Sequence, residues 1–375
     1  MNNIASLWQL IERGRKGENI GTSTGIPKLD KVIGGIQPSR YYLVGAASSA
    51  GKSALVLYMM YYMLKNMKND EPVYFLYFSL ELGNDVLLAK LMGLYCAEEF
   101  GVYLTLNDIM SFEHKLSDDA YNCLKKARIW LDSISEHIVI LDKGLSASTL
   151  YKETMPFVEK HGTIEEIEGR KQYIPNNPKQ RLIGVVDHMS LVHASEGRKL
   201  KEEMDLVSSY MVSLKRRFMI SWFVLMQQNR DSGSIDRRKM DLMEPGLNDL
   251  KDSSSMSQDA DCVIQIFYPF REKLSTYRDY TILGENGFKD TFRSLIISKN
   301  RYGIANQVIG CAFYGATGWW KDLPPGKEII DQKIYFDPAK NIPCKIKKED
   351  LISEDNEFRN ENSEKTPITF SFNGN

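Results

Sequence analysis

Apolar runs alternate with stretches of helical spacing along most of the chain, and that alternation predicts its elements. YYLVG (41–45) leads into a helix over about residues 52–67, and PVYFLYFSL (72–80) leads into one beginning near Asn84. Further apolar runs are HIVILD (137–142), RLIGVVDHM (181–189), SWFVLMQQ (221–228), CVIQIFY (262–268), SLIISKN (294–300) and VIGCAFY (308–314). Runs that are apolar on both faces, separated by helices, predict an α/β fold with a buried and mostly parallel sheet. The last runs have no helices between them, so the final edge of the sheet is expected to be antiparallel.

Near the N-terminus, Ile4, Leu7, Trp8, Leu10 and Ile11 share one helical face, and GRKGENIG then breaks the helix. This short amphipathic helix either packs on its own domain or is donated to a neighbouring subunit. The segments 162–180 and 269–293 are polar and turn-rich, and they read as excursions from the core. From residue 345 the chain is polar and charge-mixed, and disorder is expected there. The closing PITFSFNGN (367–375) is an apolar and aromatic patch that either frays or docks on a partner protein.

Composition narrows the class. The 375 residues are 43% apolar, enough for a sizeable core, and Lys+Arg 48 against Asp+Glu 49 leaves a net charge of -1. The chain therefore has no global pull toward polyanions, and any such site must be local. Five scattered cysteines (Cys96, Cys123, Cys262, Cys311, Cys344) form no CxxC pair, which argues against structural zinc or a disulfide framework. They suit a reducing compartment. The N-terminus is too polar for a secretory segment and no stretch reaches 18 apolar residues, so a cytoplasmic protein without a membrane span is expected.

The strongest chemical signal is GAASSAGKS (45–53), placed where an apolar strand hands over to a helix. A tight turn of small residues lets backbone N–H groups face a β-phosphate, and the helix N-terminus adds its positive dipole end. The cradle is expected to comprise Ala47, Ser48, Ser49, Ala50, Gly51, Lys52, Ser53 and Ala54. Lys52 would reach the β- and γ-phosphates, and Ser53 would hold Mg²⁺. The strict GxxxxGK[ST] pattern has glycine where this chain has Ala46, with Gly45 one residue earlier.

Two acids follow apolar strands. Asp187, at the end of LIGVVD, is placed to anchor Mg²⁺ or its water, and Glu81, in FSLEL, to orient and deprotonate an attacking water. A solvated loop acid is the competing reading of Glu81.

The ordered set STGIPKLDKVIGGIQPSRYYLVGAASSAGKS, FSLEL, GVVDHMSLV, LMQQNR, LNDLKDSSSMSQDAD, SKNRYG and AFYGATGWW resembles the DnaB-type ring helicases, members of the RecA-like ATPases. The resemblance runs over about residues 21–323, and the alanine-started phosphate loop is a variant found in that family. It implies a RecA-like P-loop core that uses ATP and Mg²⁺, with Lys52 and Ser53 on the phosphates and metal, Glu81 as base and Asp187 as the metal-supporting acid. It further implies Gln227 as sensor of the γ-phosphate, although Gln228 adjoins it. Lys299 and Arg301 match a hairpin that reaches the next subunit's nucleotide, Arg301 being the arginine finger. Spacing alone would read these two as a solvated strand face. A finger acting in trans requires a ring, expected to be a hexamer.

The family's nucleic-acid segment corresponds here to DLKDSS, with Lys251, Asp252 and Ser254 in the matching places. Lysine lacks arginine's fork, so weaker phosphate contact is expected. Arg230, Arg237, Arg238, Lys239 and Lys251 are offset by five acids over residues 230–251, so charge alone carries no claim there. RKLK (198–201) and KRR (215–217) are further basic candidates, the latter also reading as a solvated helix face.

The resemblance implies a linker helix over 1–20, one ATPase domain over 21–344 and a disordered tail over 345–375. The chain starts almost at the motor, so separate primase, loader or polymerase partners are expected. The function implied is an ATP-dependent replicative helicase that moves on single-stranded DNA. The alternatives are a RecA-like recombinase or mediator, and a nucleotide-gated interaction module.

Overall fold

Strand β1 (Tyr41–Ala46) sends Tyr42 and Val44 into one core and Tyr41 and Leu43 into another. A strand apolar on both sides has to be covered on both sides. The computed structural model, which describes residues 3–167, 169–229, 243–250, 254–285, 287–329 and 335, meets that demand with three layers.

The remaining strands in chain order are β2 (Val73–Ser79), β3 (Ile138–Leu141), β4 (Gly162–Ile167), β5 (Arg170–Pro175), β6 (Arg181–Asp187), β7 (Ser221–Gln227), β8 (Cys262–Phe267), β9 (Thr276–Tyr277), β10 (Tyr280–Thr281), β11 (Phe292–Asn300), β12 (Gln307–Tyr314) and β13 (Trp319–Asp322). Eight of them join β1 in one nine-stranded sheet, in the order β13-β12-β11-β8-β1-β7-β6-β2-β3. Pairing is parallel from β8 to β3 and antiparallel from β8 out to β13, as the missing helices between the last runs predict.

The helices are α1 (Asn3–Arg15), α2 (Pro27–Ile33), α3 (Lys52–Lys65), α4 (Asn84–Phe100), α5 (Leu106–Met110), α6 (Asp118–Ser133), α7 (Ala147–Lys160), α8 (Leu200–Phe218) and α9 (Ser254–Asp259). On one face of the sheet α3 and α4 bury Leu55, Met59 and Leu91, and on the other α7 and α8 bury Val158, Val207 and Met211. Between α4 and β3, α5 and α6 close a small satellite core around Cys96, Cys123 and Leu124. Thr105 and Ser117 start these two helices by accepting the N–H groups of Asp108 and Ala120 at 3.1 and 3.2 Å.

The 162–180 excursion contains an antiparallel ribbon, β4 against β5, in register from Gly162 opposite Pro175 to Ile167 opposite Arg170. The 269–293 segment carries the two-residue strands β9 and β10 and runs into β11. In α1, Leu7, Trp8, Leu10 and Ile11 are each about half exposed or more (56%, 61%, 51% and 48%). Four of the cysteines are buried free thiols, and Cys344 lies outside the described residues, as does the tail from 345. Among the described residues no helix is long and apolar enough to cross a membrane.

Candidate active site

β1 lies between β7 and β8 in the middle of the sheet, and its last residue, Ala46, is level with Gln227 and Ile266. The chain then turns through 47–51 into α3. That places the turn outside the carboxyl ends of the parallel strands, where open α/β sheets bind ligands. Ser49 and Gly51 take left-handed backbone (φ 60° and 105°) to make the turn. A Cβ on Gly51 would also lie 3.0 Å from Trp320 and 3.1 Å from Phe313, so glycine is required on both counts. The N–H groups opening α3 consequently face the turn, a ready anion site.

The charged groups gather around this turn. Lys52 is folded back, its Nζ donating to the Ala46 carbonyl at 3.4 Å. Burial lowers its pKa, against the opposing pull of Asp187 and Glu81. Ser53 Oγ donates to Asp187 Oδ1 at 3.0 Å, and Tyr77 OH donates to Oδ2 at 2.8 Å. Asp187 is buried at the end of β6, and desolvation raises its pKa in spite of these two donors. A buried carboxylate held above its ordinary value gains from any cation brought beside it. Glu81 is half exposed beyond β2, its Oε2 3.9 Å from His188 Nε2. Burial lowers the pKa of that imidazole. Leu80 N–H donates to the Asp187 carbonyl at 2.8 Å, so the ends of β2 and β6 are tied together and both acids share one rim.

Burial separates the two adjacent glutamines. Gln228 is 6% exposed and donates from Nε2 to Gln265 Oε1 at 3.1 Å, while Gln227, the last residue of β7, stands beside Ala46 at the open rim.

Lys299 and Arg301 are not brought to this turn. Because β11 runs antiparallel to β8, Lys299 is level with Val263 at the start of β8, the opposite end of the sheet. Lys299 Nζ donates to the carbonyls of Ser257 and Gln258 at 2.7 and 2.8 Å. Arg301 pairs with the buried Asp261, Nη1 to Oδ1, at 2.7 Å. Ser254 opens α9, whereas Lys251, Asp252 and the basic residues at 230, 237, 238 and 239 lie outside the described residues.

Three residues at the site carry no clear mark in the sequence. Tyr77 sits inside an apolar run and gives no sign of its hydroxyl contact. Arg271 donates to the Ser48 carbonyl at 2.7 Å and Arg293 to the Ala50 carbonyl at 3.0 Å. The available signal for Arg293 is a lone arginine near the head of β11, just before its apolar stretch Leu295–Ile297.

The order of these features along the chain agrees with known proteins. A model of the DnaB-like helicase C-terminal domain matches residues 21–318. The chain belongs to this family. Replicative DNA helicase DnaB of Helicobacter pylori is 26% identical over 261 residues, 69% of this chain and 46% of the relative. DnaB of Leifsonia xyli is 24% identical over 315 residues, 83% of this chain and 58% of the relative. The chain thus spans about half the length of these DnaB relatives. Among solved structures, an isolated ATPase domain superposes with a TM-score of 0.66 at 21% identity, covering 86% of this chain and all (100%) of that one. The structure of a DnaB-like replicative helicase and its interactions with primase gives 0.65 at 22%, covering 86% of this chain and 68% of that one. These two likenesses establish the shared fold, the α/β core with a mostly parallel sheet and an antiparallel edge expected from the strand pattern.

Proposed function

We propose that this chain is the motor of an ATP-driven replicative DNA helicase that works as a homo-oligomeric ring, with a hexamer as the expected form. The observation that carries the proposal is the division of β11's neighbourhood between two ends of the sheet. The phosphate turn, Lys52, Ser53 and Asp187 lie at one end, and Lys299 and Arg301 at the other. A guanidinium that cannot reach its own phosphate turn can complete a site only on a neighbouring copy.

In this reading the turn 47–54 cradles the phosphates of ATP, and Lys52 neutralises the β- and γ-oxygens. The donor set fits Mg²⁺, which prefers a few protein oxygens together with water and phosphate. Ser53 would be its hydroxyl ligand and Asp187 would hold its water shell. The metal would supply charge neutralisation at the transferring phosphoryl group. Glu81, half exposed at the same rim, accepts the proton of the attacking water, and Gln227 reads whether the γ-phosphate is present. Arg301 of an adjacent copy stabilises the charge that develops in the transition state, aided by Lys299.

The ring would pass single-stranded DNA, held through its backbone by Lys251, Asp252 and Ser254, so binding should weaken with salt. Helix α1, with its half-exposed Leu7, Trp8, Leu10 and Ile11, would dock on the adjacent subunit. A separate primase, loader or polymerase would act with it.

The test is the rate of ATP hydrolysis with and without single-stranded DNA across a protein-concentration series. The proposal expects stimulation by DNA and a rate per chain that rises steeply with concentration. A DNA-independent, concentration-independent rate would favour the nucleotide-gated interaction module.

A further inference from the structure

Arg293 is buried at 2% exposure, at the end of β11 that lies beside the phosphate turn. Its guanidinium is 3.4 Å from the centroid of the Tyr268 ring and 4.8 Å from that of Phe313. Nη1 donates to the carbonyls of Asp290 and Phe292, and Nη2 faces Asp290 Oδ1 at 3.4 Å. Tyr268 OH in turn donates to that Asp290 oxygen, closing the box. Nε remains, and it donates to the Ala50 carbonyl at 3.0 Å. A guanidinium bonded and stacked on every side has one orientation, so the Ala50 carbonyl is held in one orientation too.

The carbonyl of Ala50 and the N–H of Gly51 belong to one planar trans peptide, so they point in opposite directions. Pulling the carbonyl down toward β11 turns the Gly51 N–H up into the cradle. The exposed Arg271 acts on the Ser48 carbonyl in the same way at 2.7 Å, which orients the Ser49 N–H. We infer that Arg293 is a positioning residue of the nucleotide site: it presets the Ala50–Gly51 peptide so that its N–H faces the phosphates before nucleotide arrives. The inference rests on reading residues 47–54 as the phosphate cradle.

A preset donor serves the bound ground state and the transition state alike, so its loss raises KM and leaves kcat nearly unchanged. The test compares full-length wild type, Lys52→Ala, Arg293→Lys and Arg293→Met for binding of fluorescently labelled ADP, ATPase KM and kcat, and thermal melting. Methionine keeps the length and apolar body between the two rings, and lysine keeps the charge but lacks the fork. Both Arg293 variants are expected to raise Kd and KM by about tenfold, the value of one charge-assisted hydrogen bond, with kcat within about twofold. If methionine is not tolerated, the lysine variant decides alone. A folded Arg293 variant with wild-type Kd and KM overturns the inference, as does a fall in kcat and melting temperature with Kd unchanged, which marks a structural role only. Wild-type binding by Lys52→Ala would instead refute the cradle itself.

Discussion

Arg301 rests on Asp261, Nη1 to Oδ1 at 2.7 Å, and the other carboxylate oxygen of Asp261 takes the Lys215 ammonium and the Tyr41 N–H. The Asp261 carboxylate is 2% exposed, the Lys215 ammonium 6% and the Arg301 guanidinium 44%. One acid therefore joins α8, the start of β1 and the hairpin after β11. Arg301 is the member that can leave, because Lys215 stays behind to compensate the charge.

Arg301→Ala should accordingly change unfolding free energy by no more than about 1 kcal/mol, the scale of a half-exposed ion pair. The same substitution should lower kcat by roughly 10³-fold or more if Arg301 is the finger, with nucleotide affinity retained. Urea unfolding and single-turnover hydrolysis on one preparation check both. Asp261→Ala strands a buried ammonium and should cost about 3–5 kcal/mol.

Asp187 gives the opposite pairing of stability and activity. Desolvation raises its carboxyl pKa, so the folded chain favours the neutral form, and this contribution to stability is present at low pH and lost as pH rises through the shifted value. Asp187→Asn, neutral at every pH, should melt higher than wild type at pH 7 without metal. It should hydrolyse ATP about 100-fold more slowly. A lower melting temperature in metal-free buffer would contradict the electrostatic account.

Acid sensitivity should arise at the other end of β2. His161 stacks on Tyr74 with centroids 3.8 Å apart, and burial, helped by Lys160 and His137, pushes its pKa down to about 4 from the ordinary 6.5. The folded state therefore resists protonation. The stability this neutral imidazole confers is complete above pH 6.5 and drains away as pH falls toward 4. His161→Phe, which keeps the stack, should flatten the fall in melting temperature between about pH 7 and pH 4.5 relative to wild type.

Gly51→Ala should be both unstable and inactive. Its φ of 105° strains any L side chain, and a Cβ 3.0 Å from Trp320 and 3.1 Å from Phe313 would push those rings. A loss of about 1–3 kcal/mol by denaturant titration is expected, together with loss of nucleotide binding.

How far the chain can be read in advance depends on burial. β1, β6, β7 and β8 are buried along nearly all their length, so their sequences are largely apolar runs that can be recognised as such. The β4–β5 ribbon has exposed residues through most of β4, so GTIEEI carries no alternation and resembles a loop. β13 is four residues long, and only its pairing with β12 makes WWKD a strand. At the site, the spacing of Lys52, Ser53 and Asp187 after apolar strands marks them, since those strand ends must converge in a parallel sheet. Arg293 carries no such mark, because its partner is a backbone carbonyl 243 positions away, for which no residue type is diagnostic. Lys299 and Arg301 have meaning only through the family resemblance. Their placement beyond reach of the chain's own turn is a property of antiparallel β11.

The central claim, that each site is completed by the next copy, is tested most directly by mixing two inactive variants. Lys52→Ala keeps Arg301 but lacks the cradle lysine, and Arg301→Ala keeps the cradle but lacks the finger. In a randomly mixed ring about a quarter of the interfaces pair an intact cradle with an intact finger. ATP hydrolysis by the mixture well above the sum of the two separate preparations is the predicted result. No gain on mixing, with each variant shown to be folded and assembled, would contradict the account.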